Sequence, residues 1–186
     1  IGRDLGAGII GLGALTSVVT RGGRSVLGRG VAITSGNSFT TLMAMEALAA
    51  GASKMKINLE QARGAVVGAT GSIGRACAVM LSEQIASITL LGNPAHVKSS
   101  QNRLNSLVAD LLSWAWQRCQ QGSRSGLAAW LDSALKSGAR VCSTLTGDIK
   151  NRLTLGQPVS YKMLQEWCDS LGQRCPLHLS LDTDST

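Results

Sequence analysis

The residues best suited to chemistry lie in "VVGATGSIGRACAVML", residues 66–81, where Gly68, Gly71 and Gly74 recur at three-residue intervals after a β-branched run. Glycines so spaced between a strand and a helix bare the backbone, and unpaired N–H groups at a helix's leading end attract anionic oxygen. Each such N–H bond to a charged oxygen contributes about 1.5–3 kcal/mol, against about 0.3–1 kcal/mol from the helix dipole, so shape outweighs field. Gly68 would permit the tight turn, Gly71 would admit a diphosphate to the backbone, and Gly74 would let helix and strand pack closely. Ala69, Thr70, Ser72 and Ile73 complete the expected phosphate-binding loop. Because the spacing is GxxGxxG and not GxGxxG, the flanking elements must carry much of the inference.

A second polar cluster precedes the loop. "ITSGNSFTT" offers Thr34, Gly36, Asn37, Ser38 and Thr40 as neutral hydrogen-bonding groups beside a helix start, and Thr16 and Ser17 follow a "GLG" turn. Thr16, Ser17, Thr34, Gly36, Asn37 and Thr40 are the candidate contacts of this cluster. The structural alternative is that Asn37 or Ser38 caps the following helix, and both roles are compatible. The five cysteines, Cys77, Cys119, Cys142, Cys168 and Cys175, form no CxxC pair, and their odd number argues against a disulfide framework or a zinc site. Reduced thiols in a cytoplasmic protein are the expectation. Cys77 reads as a small buried hydrophobe, and His96 and His178 stand alone, so no metal site is expected.

The positioning elements follow from periodicity. A strand over 64–69, a helix from Ser72 to Ser82 and the strand "SITLLGN" make a βαβ unit, whose parallel strands cross over right-handed. Ile73, Cys77, Met80 and Leu81 are spaced to face the sheet. Upstream, residues 8–20 read as strand, GLG turn and strand, "VAITSGN" as another strand, and Ser38 to about Met55 as an alanine-rich helix. Downstream, Leu104, Leu107, Val108, Leu111 and Leu112 mark one amphipathic helix, and Leu127, Leu131, Ala134 and Leu135 another. Gly122 separates these two and Gly138 reads as a stop, giving an inserted helical hairpin with Trp114, Trp116 and Trp130 as packing residues. "ARVCSTL" reads as a strand; Pro158 and Ser160 introduce a helix carrying Leu164, Trp167, Cys168 and Leu171 with Gly172 as its stop; "PLHLSLD" closes as a strand.

The expected fold is therefore α/β, a Rossmann-like parallel sheet incomplete at its C-terminal end, with a helical hairpin insertion at about 100–137. Residues 1–60 read as an upstream region with a connecting long helix, and 61–186 as the partial NAD(P)-binding domain. After the second strand of such a fold a carboxylate selects NAD by bonding the ribose 2′-hydroxyl. Here stand Gly92, Asn93 and Pro94, with Lys98 and Arg103 close by, so Asn93 joins the cofactor set and NADP is expected, with NAD the alternative.

The net charge of +7 is spread along the chain, and with one tyrosine and one phenylalanine for stacking, nucleic acid is not an expected partner. Arg21, Arg24 and Arg29 form the densest basic patch, read as a solvated face or as a contact for an acidic carrier protein. The apolar opening "LGAGIIGLGALTSVVT" is shorter than a bilayer span and lacks a basic leader, so no transmembrane segment is expected. A start at Ile1 and an ending at "LSLDTDST" suggest a piece of a longer protein.

"GLGALTSVVT", "ITSGNSFTT" and "ARGAVVGATGSIGRACAVML", in this order, resemble long-chain acyl-[acyl-carrier-protein] reductases and their relatives termed predicted amino acid dehydrogenases, over roughly residues 7–95. That family is similar in layout to shikimate dehydrogenase, which implies that residues 1–60 are the end of a substrate-side region feeding a long helix into the nucleotide fold. The resemblance implies NAD(P)H-dependent reduction of a fatty acyl thioester, on acyl carrier protein or coenzyme A, to an aldehyde. It also implies that Thr16, Ser17, Thr34, Gly36, Asn37 and Thr40 are substrate-side contacts and that a catalytic cysteine lies in a later segment; none of the five cysteines here inherits that role. The family's arginine after the second strand is missing. An amino- or hydroxy-acid dehydrogenase and a non-catalytic dinucleotide-binding module are the alternatives, and a homo-oligomer is compatible with the sequence.

Overall fold

The structure, a computed structural model, describes residues 2–181. A small two-stranded sheet comes first: β1 (Ile9–Gly11) and β2 (Ala32–Thr34) run parallel, with Gly11 opposite Thr34. Between them lies α1 (Leu15–Val19), and after them the long α2 (Asn37–Lys54). Then follow β3 (Arg63–Val67), α3 (Ser72–Ser82) and β4 (Ser87–Leu91). Four helices, α4 (Val97–Gln120), α5 (Gly126–Val141), α6 (Ser143–Thr154) and α7 (Tyr161–Ser170), lead to β5 (Leu177–Ser180). The second sheet has the order β3-β4-β5 with both pairings parallel. This is a Rossmann-like α/β layout, incomplete relative to the full doubly wound sheet.

The register divides the three-stranded sheet into two unlike faces. Gly64, Ile88 and Leu177 form one row and Val66, Leu90 and Leu179 the next, and Ile88, Leu90 and Leu177 are fully buried. Against them pack Leu81 of α3, Leu104, Leu107 and Leu111 of α4, Leu127 and Leu131 of α5, and Leu164 and Trp167 of α7. The opposite face carries Arg63, Ala65 and Val67, then Ser87 and Thr89, then His178 and Ser180. Val67 is 74% exposed there, although parallel sheets ordinarily cover both faces. Burial first, then the charges of Arg174 and Arg63, push the His178 imidazole below its ordinary value.

Three sequence expectations are corrected. Residues 15–19 are helical, not a strand: Ala14 turns the chain at φ 47°, and the Thr16 and Thr20 hydroxyls donate back to Gly13 O and Thr16 O. Val18 and Val19 stay exposed, so their strand propensity finds no neighbour to pair with. "ARVCSTL" is the end of α5 and the start of α6. Gly138 is not a stop but an interior residue of α5, where a Cβ would overlap Thr146 Oγ1 and come within 3.1 Å of Trp167 Nε1. The hairpin is accordingly the first half of a four-helix connection. On α3 the fully buried positions are Ala78, Leu81 and Ser82, while Ile73, Cys77 and Met80 are half-buried.

Trp116 and Trp130 pack against the core, and Trp130 meets Trp167 edge-on at 5.8 Å. Trp114 is 40% exposed and donates to Glu83 Oε1 at 3.0 Å. Trp167 is fully buried, and its indole N–H donates to Thr146 Oγ1 at 2.9 Å. Replacing Thr146 with valine keeps the volume and strands that N–H in an apolar site. Thr146→Val should lower unfolding free energy by about 1–3 kcal/mol in urea titration; an unchanged midpoint would mean the bond contributes nothing.

Candidate functional site

β3 ends at Val67 and Gly68 turns the chain at φ +72°, a conformation disfavoured for residues with a Cβ. The buried Ala69 donates its N–H to Leu91 O at 3.0 Å, tying the loop to the end of β4. Gly71 N donates to Gly68 O at 2.9 Å, and α3 begins at the next residue. A Cβ on Gly74 would overlap Gly68 O and lie 3.1 Å from Ala69 Cα, so this glycine is imposed by backbone packing on backbone. Gly71 differs: its φ of −83° suits any residue, and a Cβ there would meet only Gly68 O, at 3.3 Å. Two of the three glycines are thus explained by the fold, whereas at Gly71 the backbone conformation does not require one.

The leading end of α3 is bare. Its N-cap, Gly71, supplies no side-chain cap, and among the described residues no acceptor takes the N–H groups of Ser72, Ile73 or Gly74. Gly68, Gly71 and Ser72 are exposed; Thr70, Ile73 and Gly74 are half-buried. These residues fit a diphosphate, with three free donors and no side chain within 4 Å of where a Cβ on Gly68 or Gly71 would stand.

The second polar cluster stands against this loop. Asn37 Nδ2 donates to Ser72 Oγ at 2.9 Å, joining the first residue of α2 to the first of α3. The capping alternative for Asn37 and Ser38 is therefore not what the structure has: the N-cap is Gly36, at φ +74°, with no side-chain cap. Thr34 Oγ1 accepts from Gly36 N at 3.2 Å, and the Thr40 hydroxyl turns back to Gly36 O at 3.2 Å. Thr16 and Ser17 sit on α1, directly after β1, and Leu12 N donates to Thr34 O at 2.8 Å, which holds the two turns together. All these groups lie at the carboxyl ends of parallel strands, where ligands of open α/β sheets bind.

At the end of β4, Asn93 Oδ1 accepts from Ala95 N at 2.9 Å and Asn93 O accepts from Ser100 Oγ at 2.9 Å, so this residue shapes the turn into α4. Lys98 and Arg103 are exposed on the first turns of α4, without an ion pair among the described residues. Arg75, the cation nearest the glycine loop in sequence, is engaged with Asp110 of α4. That ion pair and the Asn37–Ser72 bond lay beyond sequence reasoning, since nothing in local spacing signals them. Arg21, Arg24 and Arg29 are exposed. A groove of about 730 Å³ lies elsewhere, between α4, α5 and α6, and includes Trp116, Asp132, Lys136 and Lys150. Among the described residues no group of three His, Cys, Asp or Glu side chains could hold a metal, and no helix is long and apolar enough to cross a membrane.

No protein-family model matches the chain, and no solved structure matches it. Among curated proteins it is similar to the aminotransferase PigE of Serratia sp. (strain ATCC 39006), 40% identical over 92 residues. The match takes in 49% of this chain and 11% of PigE, so the chain spans only a small part of that relative's length.

The differing needs of the glycines give a paired test. Gly74→Ala should lower the unfolding midpoint through its clash with Gly68 O. Gly71→Ala should keep the fold, by circular dichroism and urea titration, and weaken NADPH binding about tenfold or more, the cost of one or two N–H contacts. Equal affinity for NADPH in Gly71→Ala and the parent would remove the loop from the binding site.

Proposed function

We propose that this chain is the cofactor-binding and part of the substrate-binding portion of an NAD(P)H-dependent oxidoreductase, and that the reaction is reduction of a fatty acyl thioester to an aldehyde. The observation that carries the reading is the uncapped start of α3 beneath a glycine turn, with Asn37 bonded to Ser72 at its rim. Gly68, Ala69, Thr70, Gly71, Ser72, Ile73 and Gly74 hold the diphosphate, chiefly through backbone N–H groups. The preferred cofactor is NADP: no carboxylate follows β4, and Lys98 and Arg103 are exposed on the helix that begins there. NAD is the alternative.

The nicotinamide supplies hydride when bound. Thr34, Gly36, Asn37 and Thr40, with Thr16 and Ser17 behind them, orient the acyl carbonyl through neutral donors that do not protonate at working pH. Arg21, Arg24 and Arg29 offer an acidic carrier protein a basic surface, and a cytoplasmic setting accords with this chemistry. Support for the acyl substrate comes from the three motifs over residues 7–95 that resemble the acyl reductases. Similarity to PigE, named as an aminotransferase, concerns a segment that is 11% of that protein.

The intact protein, incubated with NADPH and a long-chain acyl thioester, is expected to consume NADPH and release aldehyde. Oxidation of an amino or hydroxy acid with no aldehyde would favour the dehydrogenase alternative, and tight NADPH binding with no turnover of either substrate would favour a non-catalytic module.

A further inference from the structure

The open face of the three-stranded sheet carries a polar cluster that the glycine loop does not use. Parallel register sets Arg63 of β3 beside Ser87 of β4, and Ala65 beside Thr89 and His178. With Arg174, in the turn before β5, these residues line a cavity of about 630 Å³. Side chains alternate along a strand, so all of those on the strands point away from the buried Ile88 and Leu90. The arginines stand on either side of β4, whose two neighbours lie about 10 Å apart, and Ala65 leaves the floor between them low.

The cavity is positive and has no counter-ion. Among the described residues no Asp or Glu lines it, and neither Arg63 nor Arg174 makes an ion pair. Burial, then the charges of Arg174 and Arg63, hold the half-buried His178 imidazole below its ordinary value, so at neutral pH it is uncharged and offers one N–H. Two guanidinium forks, two hydroxyls and an imidazole N–H exceed what the two oxygens of a carboxylate can accept. They match the three terminal oxygens of a phosphate group, and two positive charges balance its dianion. The volume lies in the range of small-molecule sites, about 300–1,000 Å³. It leaves room beside the phosphate for the organic part of a monoester.

We propose that Arg63, Ser87, Thr89, Arg174 and His178 form a second anion site, which takes the phosphate group of a small phosphate monoester on the open face of the sheet. It is separate from the dinucleotide site. Arg63 opens β3 and the glycine loop follows Val67, its last residue, so roughly 13 Å of strand lie between the two.

The test is NMR of the two imidazoles of the chain, titrated with glucose 6-phosphate and, at matched ionic strength, with sodium chloride. The His178 resonances should shift saturably with the sugar phosphate, and those of the exposed His96, after β4, should not. Glucose should have no effect, and inorganic phosphate should act at higher concentration. A bound dianion favours the imidazolium, so the titration midpoint of His178 should also rise. The charges facing that ring are Arg63 and Arg174, and β4 adds none to this face. Arg63→Gln and Arg174→Gln, both at exposed positions, should keep the fold and each weaken the response about tenfold or more, as loss of a charge-assisted contact requires. Gly71→Ala should leave the response intact. No saturable shift of His178, an equal shift in sodium chloride, unchanged affinity in both arginine variants, or loss of the response in Gly71→Ala would each overturn the assignment.

Discussion

The structure turns on the contact between the backbone of α3 and the backbone of the turn before it. At Gly74 there is no room for a single carbon, because Gly68 O already fills the place a Cβ would take. That closeness fixes the start of α3 directly above the end of β3, and the Ala69 to Leu91 hydrogen bond fastens the same turn to β4. The uncapped N–H groups therefore emerge at the carboxyl edge of the sheet, and on that placement the dinucleotide proposal depends. Other glycines do comparable work. Gly126, at φ +54°, lets the start of α5 approach Ser82 O at the end of α3, which carries the helical connection back over the core.

The βαβ unit could be read from sequence because its determinants are local. An apolar run, three glycines at fixed spacing and a helix without β-branched crowding yield β3, α3 and β4, and α3 has the expected bounds of Ser72 and Ser82. The strands β2 and β5 and the start of α7, where Ser160 Oγ accepts from Met163 N at 3.2 Å, follow from equally local cues. Where tertiary contacts decide, local cues misled. Gly138 resembles a helix stop but is a packing point against Thr146, and the β-branched residues around Val141 are helical because α5 and α6 meet there. The polar residues of the site were identifiable by type, but not their arrangement. Asn37 and Ser72 are 35 residues apart, and no spacing rule joins them.

The same division separates the proposed site from the remainder of the molecule. Around the glycine loop the groups are neutral and mostly backbone, as suits binding that rests on shape. The nearest arginine, Arg75, is committed to Asp110, which holds α3 to α4, so the proposed phosphate contacts fall to the amides. The carboxyl end of β5 meets the edge of the proposed site: Gly92 N donates to Ser180 O at 2.9 Å, one residue before Asn93.

The most direct measurement is of the backbone amides themselves, by heteronuclear NMR of the chain titrated with pyrophosphate and then with NADPH. The account predicts saturable shifts of the Gly71, Ser72, Ile73 and Gly74 amide resonances with both ligands, larger than those anywhere in α5 or α6. Unmoved amides at those positions, with perturbation confined to the groove between α4, α5 and α6 or absent altogether, would contradict it.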